Sequence, residues 1–546
     1  MYNERLQYWI KQIKYPSMIN FFTTRKVSLI FSLLFYSLIL LLIYFNMLHN
    51  SFYAIEDSYI TYRYAQNLRL GIGLVFNDGE RHFGSTAMGM AVILAAFSWL
   101  TESISDIWNN SPQLPGSQIV FIAHLITTLS IGSIAILAYW IALRHLNFVL
   151  ATSISVFFAI LFFSAEYMND ACGHETYLFI SFLIFSGYLL IYKDRAFWAG
   201  ILLGIASTFR PDAFLYMAIL TGWLSFLWIH KGYDIQQRQR LFIFLTGYFL
   251  IAIPWFLFCK AYFGSILPST LTAKRAQPLL GHWSNFTIHK ALSELVRLMR
   301  FPMAFAVAIL LSCALLAHVM QERKRVIIGL IYNPLTALMA CLLVFGFGQV
   351  IFYSLIQISF WFWYIIPLCI IVSLCAFLAT VDLLSESHKN KKALVAMTLI
   401  AVISLILINR GALYYDLKQL VTSHNINMHI TSHDPIVNYL LEHEPAGTSV
   451  ATSEPGALGF KLGPRYKVID ELGLVSPGVA ENIMQGNLDF PFNTFFPQYV
   501  IVSWDGKYSP HERPWFFTSY EFVGEFSHPY WNLNLKRGAY LYKRKS

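Results

Sequence analysis

Long uncharged apolar runs decide what this chain can become. Val27 to Met47 passes about 20 residues without a charge, enough to cross a hydrocarbon core about 30 Å thick. Similar runs recur at about 118–143, 149–165, 176–192, 196–209, 213–230, 241–259, 301–319, 332–356, 361–383 and 393–409. With the first they predict about 11 transmembrane helices. Only 13% of residues are charged, against roughly 25% in soluble domains. The expected fold is a polytopic α-helical membrane protein.

The remaining charges orient it. The basic N-terminal segment 1–26 (Arg5, Lys11, Lys14, Arg25, Lys26) belongs in the cytoplasm. The run after it is too long for a signal-peptide core and has no cleavage site, so it reads as an anchor. Alternating sides then puts Arg144, Lys193, Arg195, Lys231, Arg238, Arg240, Arg323, Lys324, Arg325, Lys389, Lys391 and Lys392 in cytoplasmic turns, as the positive-inside rule requires. The pattern holds if the short apolar run Met88 to Leu100 is interfacial or re-entrant. The net charge of +9 is therefore orientation information rather than a nucleic-acid footprint. The six cysteines are scattered without metal-ligand or disulfide spacing.

The domains expected are a cytoplasmic segment 1–26, a transmembrane domain 27–410 with extracytoplasmic loops 48–117 and 260–300, and an extracytoplasmic α/β domain 411–546. In the last, β-rich runs at 448–452, 466–470, 499–504 and 539–543 alternate with Gly/Pro turns, and Pro435 to Leu441 reads as helical. Gly456, Gly459 and Gly473 read as turns between strands, and Asp470 as a strand end or a residue that helps to hold an acceptor glycan.

The chemistry gathers on the extracytoplasmic side. Residues Glu56 to Thr86 read EDSYITYRYAQNLRLGIGLVFNDGERHFGST. Asp57 either caps the helix that begins there or, partly desolvated at the membrane boundary, acts as a general base. Arg63 by itself is compatible with snorkelling, and Glu80, His82 and Thr86 form a second polar cluster. Lys274 and Arg275 sit in a basic loop where the positive-inside rule predicts few cations, so they call for an anion, either a substrate phosphate or lipid headgroups. Arg210-Pro211-Asp212 is a local ion pair or a second phosphate contact. His174 and Glu175 read as a hydrogen-bonded loop pair rather than a metal site.

These residues carry a resemblance. The Glu56–Thr86 run is similar to the signature of a family of GT-C membrane glycosyltransferases, the mycobacterial terminal arabinofuranosyltransferase (AftB) family. GHETYLF, GILLGIASTFRPD, FGSILPSTLTAK, SEPGALGF and IDELGLVSP resemble its later motifs in order. The resemblance implies a polyprenyl-phosphate-sugar-dependent transferase of the bacterial plasma membrane. It would pass a sugar, arabinofuranose first among candidates, to a hydroxyl of an extracytoplasmic glycan, glycolipid or protein acceptor. It implies Asp57, with Glu56 beside it, as base. Lys274, Arg210, Arg63 and Arg275 would neutralise the donor phosphate, and His174, Glu175, Glu80, His82 and Thr86 would contact substrate. No cofactor is specified; a divalent cation is compatible with GT-C chemistry, but no ligands for one stand out. The chain departs from the family pattern at Ala87-Met88-Gly89-Met90 and at Pro268-Ser269-Thr270, beside the expected substrate groove. A flippase or transporter would show repeat symmetry and midplane charges, which are not seen here. A non-catalytic partner in glycan assembly stays open as the other alternative.

Overall fold

The computed structural model describes residues 30, 34, 37, 55–102, 117–163, 172–281, 283–299, 333–387, 434–503, 509–526 and 539–545. The segment 1–26, the expected spans at 301–319 and 393–409, and nearly all of that at 27–47 lie outside the described residues.

The described helices before the tail are α1 (Glu56–Arg69), α2 (Met88–Glu102), α3 (Ser117–His145), α4 (Phe148–Phe163), α5 (Thr176–Ile191), α6 (Ala196–Phe209), α7 (Ala213–His230), α8 (Ile235–Phe263), α9 (Thr270–Ala276), α10 (Ile288–Leu298), α11 (Pro334–Ile356) and α12 (Ile366–Ser387). Five described segments are long and apolar enough to cross a membrane: most of α3, all of α7, α8 and α11, and Phe362–Asp382, which takes in most of α12. Shorter apolar helices lie in α2, α5 and α6. The most apolar stretch of the α12 segment is 89% buried against 28% for α7 and α8, so α12 is central and the other two form the flank.

Local chemistry sets the helix ends. Asp234 starts α8 by accepting the Gln236 N–H, and Gly264 ends it at φ 79°. Asn333 caps α11 through the Leu335 N–H, with Pro334 in the first turn.

Helix α6 packs against α8 by backbone approach. A Cβ on Gly200 would lie 2.1 Å from the Phe244 carbonyl oxygen, and one on Gly247 would lie 2.3 Å from that of Phe197. Small residues permit such crossings in lipid, where the hydrophobic effect gives helices no reason to associate. Gly200→Val is therefore expected to cost about 1–3 kcal/mol, because the obstructing atoms are backbone and cannot swing away. Thermal unfolding in detergent measures this, and a wild-type melting profile would mean that the helices are not in close contact.

The loops sort to two ends. Arg240 pairs with Asp194 at 2.6 Å, and Arg144 lies over the Tyr188 ring at 6.0 Å. Those contacts draw the basic turns after α3, α5 and α7 together. The loops before α2, α5, α7, α9 and α12 meet elsewhere, around one cavity. The basic turns expected at Arg323, Lys324 and Arg325 and at Lys389, Lys391 and Lys392 lie outside the described residues.

The tail forms a five-stranded sheet of β1 (Ser449–Thr452), β2 (Lys467–Asp470), β3 (Tyr499–Val502), β4 (Tyr520–Phe526) and β5 (Ala539–Arg544), in the order β2-β1-β3-β5-β4. Strand β1 runs parallel to β2 and β3, and β5 runs antiparallel to β3 and β4. Helices α13 (Asp434–His443), α14 (Pro455–Leu462), α15 (Val479–Met484) and α16 (Phe490–Phe495) flank the sheet. Side chains alternate between faces with period two. Ala451, Ile469, Val500 and Val502 pack with Phe492, Phe516 and Tyr520, whereas Val450, Val468, Tyr499 and Ile501 join the hydrophobic core shared with the helical bundle.

Two of the expected turn glycines are helical instead. Gly456 and Gly459 lie in α14, which packs on α1. A Cβ on Gly456 would lie 2.2 Å from the Glu56 carbonyl oxygen, and one on Gly459 would lie 2.8 Å from the Phe76 ring. Close approach, not chain reversal, accounts for both. Gly473, at φ 78°, is in a turn.

Candidate active site

Helix α1 begins after Ile55, and no side chain caps it. Asp57 in its first turn reaches instead across the cavity to Lys274 Nζ at 3.0 Å, from α9. The Asp57 side chain keeps 24% exposure and lines the cavity, so it is accessible to a ligand; that of Lys274 is only 6% exposed. Lys274 also lies 4.8 Å from the Trp361 ring centroid and 5.6 Å from that of Trp363. One carboxylate and two ring faces thus surround the ammonium.

The cavity measures about 390 Å³. Arg210 supplies its second cation. The Arg210 Nε group donates to Asp212 Oδ2 at 3.0 Å, Nη2 donates to the Tyr353 hydroxyl at 3.0 Å, and Nη1 lies 3.6 Å from Glu175 Oε1. Asp212 Oδ2 further accepts from Tyr353 at 2.6 Å and from Gln349 at 2.9 Å. Burial opposes the charge on Arg210, but Tyr353, Asp212 and Glu175 hold its pKa above the ordinary value. Glu175 Oε2 meets His174 Nε2 at 3.1 Å, and His174 Nδ1 lies 2.7 Å from Thr176 Oγ1. Burial raises the Glu175 carboxyl to about 7 against the pull of Arg210. It pushes His174 well below its usual range, with Arg210 and Lys274 adding to the effect, so the ring is neutral.

Of the residues expected to act as base, bind phosphate or contact substrate, six share the cavity: Asp57, Lys274, Arg210, His174, Glu175 and Thr86. The others lie outside it. Glu56 turns to the tail, where both carboxylate oxygens accept from the Ala457 N–H at 3.0 and 3.1 Å. Desolvation, with Glu454 and Asp57 nearby, raises it to about 8. Arg63 is fully buried: Nε donates to Phe76 O at 3.1 Å, Nη1 to Gly459 O at 2.6 Å and Nη2 to Tyr466 O at 3.2 Å. With its donors on backbone carbonyls, it is a tie between α1 and the tail, not a phosphate contact. Glu80 pairs with Lys467, and His82 Nε2 lies 2.8 Å from Ser269 Oγ, so both also bridge segments. Arg275, the neighbour of Lys274 on a short helix, is exposed and does not line the cavity.

Sequence reasoning missed Tyr353, Gln349, Trp363 and Tyr364, because each falls inside or beside an apolar run. The tail also contributes. Leu474 lines the cavity, and its carbonyl oxygen accepts from Ser269 Oγ at 3.3 Å. Asp470, expected as a strand end, shapes this turn by accepting the N–H groups of Leu472, Leu474 and Val475. On another side the lining is apolar. Phe214, Leu267, Leu271 and Phe352 line the cavity and are also exposed, so the cavity opens onto an apolar surface. Among the described residues, no three His, Cys, Asp or Glu side chains converge to hold a metal ion.

The same fold is present in solved structures. ArnT from Cupriavidus metallidurans bound to undecaprenyl phosphate aligns over 93% of this chain and 97% of its own, with a TM-score of 0.57 and 11% identity. Its apo structure aligns over the same shares, with a TM-score of 0.54 and 13% identity. The archaeal oligosaccharyltransferase AglB from Archaeoglobus fulgidus, in complex with an inhibitory peptide and a dolichol-phosphate, covers 86% of this chain and 69% of its own, with a TM-score of 0.52 and 11% identity. The chain has the GT-C fold. Residues 422–542 match the model of a domain of unknown function, DUF8728. No curated protein sequence matches the chain significantly.

Proposed function

We propose that this protein is a glycosyltransferase that takes a sugar from a polyprenyl-phosphate carrier and passes it to an acceptor hydroxyl. One observation carries the reading: a ligand-accessible carboxylate, Asp57, and two buried cations, Lys274 and Arg210, line one cavity whose wall runs onto an exposed apolar surface. The GT-C fold and the lipid phosphates named with ArnT and AglB point the same way. In this reading the isoprenoid tail lies along Phe214, Leu267, Leu271 and Phe352, and the phosphate meets Arg210 and Lys274. Asp57 takes the proton of the acceptor hydroxyl as its oxygen attacks the anomeric carbon. The bond from that carbon to the phosphate oxygen breaks, and the phosphate leaves with the bonding electrons. Cations already in place stabilise that leaving charge without reorganising.

In this reading the cavity opens on the extracytoplasmic side of a bacterial plasma membrane, and the resemblance makes a pentose, arabinofuranose, the first donor to try. Purified protein in nanodiscs, given radiolabelled decaprenyl-phosphate sugars and a cell-envelope glycan extract, is expected to release free decaprenyl phosphate and label the extract. If no donor is bound or consumed, the transferase reading fails and transport assays become the next test.

Glu175 gives this site a pH response. Its carboxyl is neutral below about 7 and charged above. As pH rises the cavity gains a negative charge beside Arg210, whereas a phosphodiester donor keeps its single charge. Donor affinity is therefore expected to fall between pH 6 and pH 8, and Glu175→Gln to flatten that profile. A wild-type affinity independent of pH over this range would remove Glu175 from the donor's surroundings.

A further inference from the structure

The segment Trp361-Phe362-Trp363-Tyr364 looks, in sequence, like the start of an apolar span. In the fold it is a short turn ahead of α12, and its geometry is fixed from behind. The peptide N–H groups of Phe286 and Phe360 donate to the Ile358 and Ser284 carbonyls at 2.7 and 2.8 Å, and that of Ser359 donates to the Lys274 carbonyl at 2.7 Å. The Trp361 indole N–H donates to Ser359 Oγ at 2.9 Å, and Ser359 in turn donates to Gln277 Oε1 at 2.6 Å. Trp363 then stacks on Trp361, with centroids 4.7 Å apart and planes 19° apart. The outer ring is thus held in one orientation before any ligand arrives.

Trp363 is the member of this pair that lines the cavity. It lies between Lys274, 5.6 Å from its centroid, and the His174 ring, 6.4 Å away. Its side chain is nearly buried, yet its indole N–H makes no hydrogen bond among the described residues, whereas that of Trp361 is satisfied. That N–H is not sealed from solvent, so it can donate to a ligand. Neither a phosphate, which has Arg210 and Lys274, nor an isoprenoid, which has the apolar flank, needs a flat aromatic face and one donor. A sugar ring does, because it presents an apolar C–H face and a rim of hydroxyls.

We infer that Trp363 is the platform for the donor's sugar ring. The ring's C–H face lies on the indole, one ring hydroxyl accepts from the indole N–H, and the anomeric carbon is directed toward the Asp57–Lys274 pair. This rests on the transferase reading and adds to it the residue that distinguishes a sugar-bearing lipid phosphate from a bare one.

Equilibrium binding to full-length protein in nanodiscs tests it. The probes are decaprenyl phosphate alone and decaprenyl phosphates carrying arabinofuranose, ribofuranose, mannose or glucose. The readout is the ratio of sugar-bearing to bare affinity in wild type, Trp363→Phe and Trp363→Leu. Wild type is expected to favour at least one sugar-bearing probe by about tenfold, which corresponds to about 1.4 kcal/mol. Trp363→Leu should bring that ratio close to one while bare decaprenyl phosphate still binds within about threefold of wild type, and Trp363→Phe should retain part of the preference, because it keeps the face and loses the donor. An unchanged ratio in Trp363→Leu overturns the platform. So does a parallel loss of bare and sugar-bearing affinity, which would make Trp363 a support for Lys274 only. A wild-type ratio of one for every sugar also overturns it, with the lipid-phosphate reading intact. Failure of wild type to bind even bare decaprenyl phosphate would instead overturn that underlying reading.

Discussion

Asp57→Asn is expected to lower turnover by about 10²–10⁴, the range that a positioned general base contributes, while leaving donor binding at least as tight as in wild type. The two effects separate because Asp57 plays two parts in the cavity. It is the acceptor-side base of the proposed displacement, and it is the counter-ion of Lys274 at 3.0 Å. The amide keeps the shape and a hydrogen-bonding oxygen for the ammonium but cannot take a proton at neutral pH. With the negative charge gone, Lys274 faces an incoming phosphate uncompensated, so the donor is attracted more strongly. Lys274→Met should do the reverse, weakening the donor and slowing its departure as phosphate. Binding and single-turnover measurements on the two variants give opposite patterns in this scheme. An Asp57→Asn enzyme with wild-type turnover would end the proposal that Asp57 is the base.

Much of the candidate site could be read from the sequence, for one physical reason. Charges are so costly in lipid that the loops of a polytopic protein reveal their side, and the acidic and basic residues on the minority side were few enough to name. Asp57, Lys274 and Arg210 lie far apart in the chain, yet that side assignment alone brings them to one end of the bundle, where the fold joins them in a single cavity. Hydropathy cannot rank polar residues inside an apolar run, so Tyr353 and Gln349, which hold Asp212, read as span. The same blindness hid Trp363, whose run of aromatic residues counts as apolar whether it faces lipid or a ligand. Strand β4 was missed because Glu521, Gly524 and Glu525 break its apolar alternation, and an exposed edge strand needs none.

What local patterns could not give was the union of the two ends of the chain. Glu56 and Arg63 sit in the run richest in apparent chemistry, and both face residues about 400 positions downstream. Asn77 does likewise. Its side-chain amide donates to Val468 O at 2.9 Å, and its oxygen accepts from the Val468 N–H at 3.0 Å, so the side chain pairs with an edge strand as another strand would.

The largest structural effect is accordingly expected at Arg63, not at a cavity residue. The guanidinium is fully buried without a carboxylate partner among the described residues, and it holds Phe76 on the loop after α1 together with Gly459 and Tyr466 of the tail. Arg63→Met fills a comparable volume but leaves the tail carbonyls of Gly459 and Tyr466 without this donor. Hydrogen bonds to a charged group contribute about 1.5–3 kcal/mol each, so a loss of at least about 3 kcal/mol is expected. Arg63→Lys should recover little, because one ammonium cannot reproduce a planar fork that reaches separate carbonyls. Hydrogen exchange should show faster exchange across α14 and β2 in both variants, and limited proteolysis should release a tail fragment. Turnover should fall with them, because α1 carries Asp57 at one end and the tail supplies Leu474 to the cavity wall. If either variant melted and exchanged like wild type, the sheet would be held by the shared apolar core alone, and Arg63 would have to be reconsidered as a ligand-binding residue.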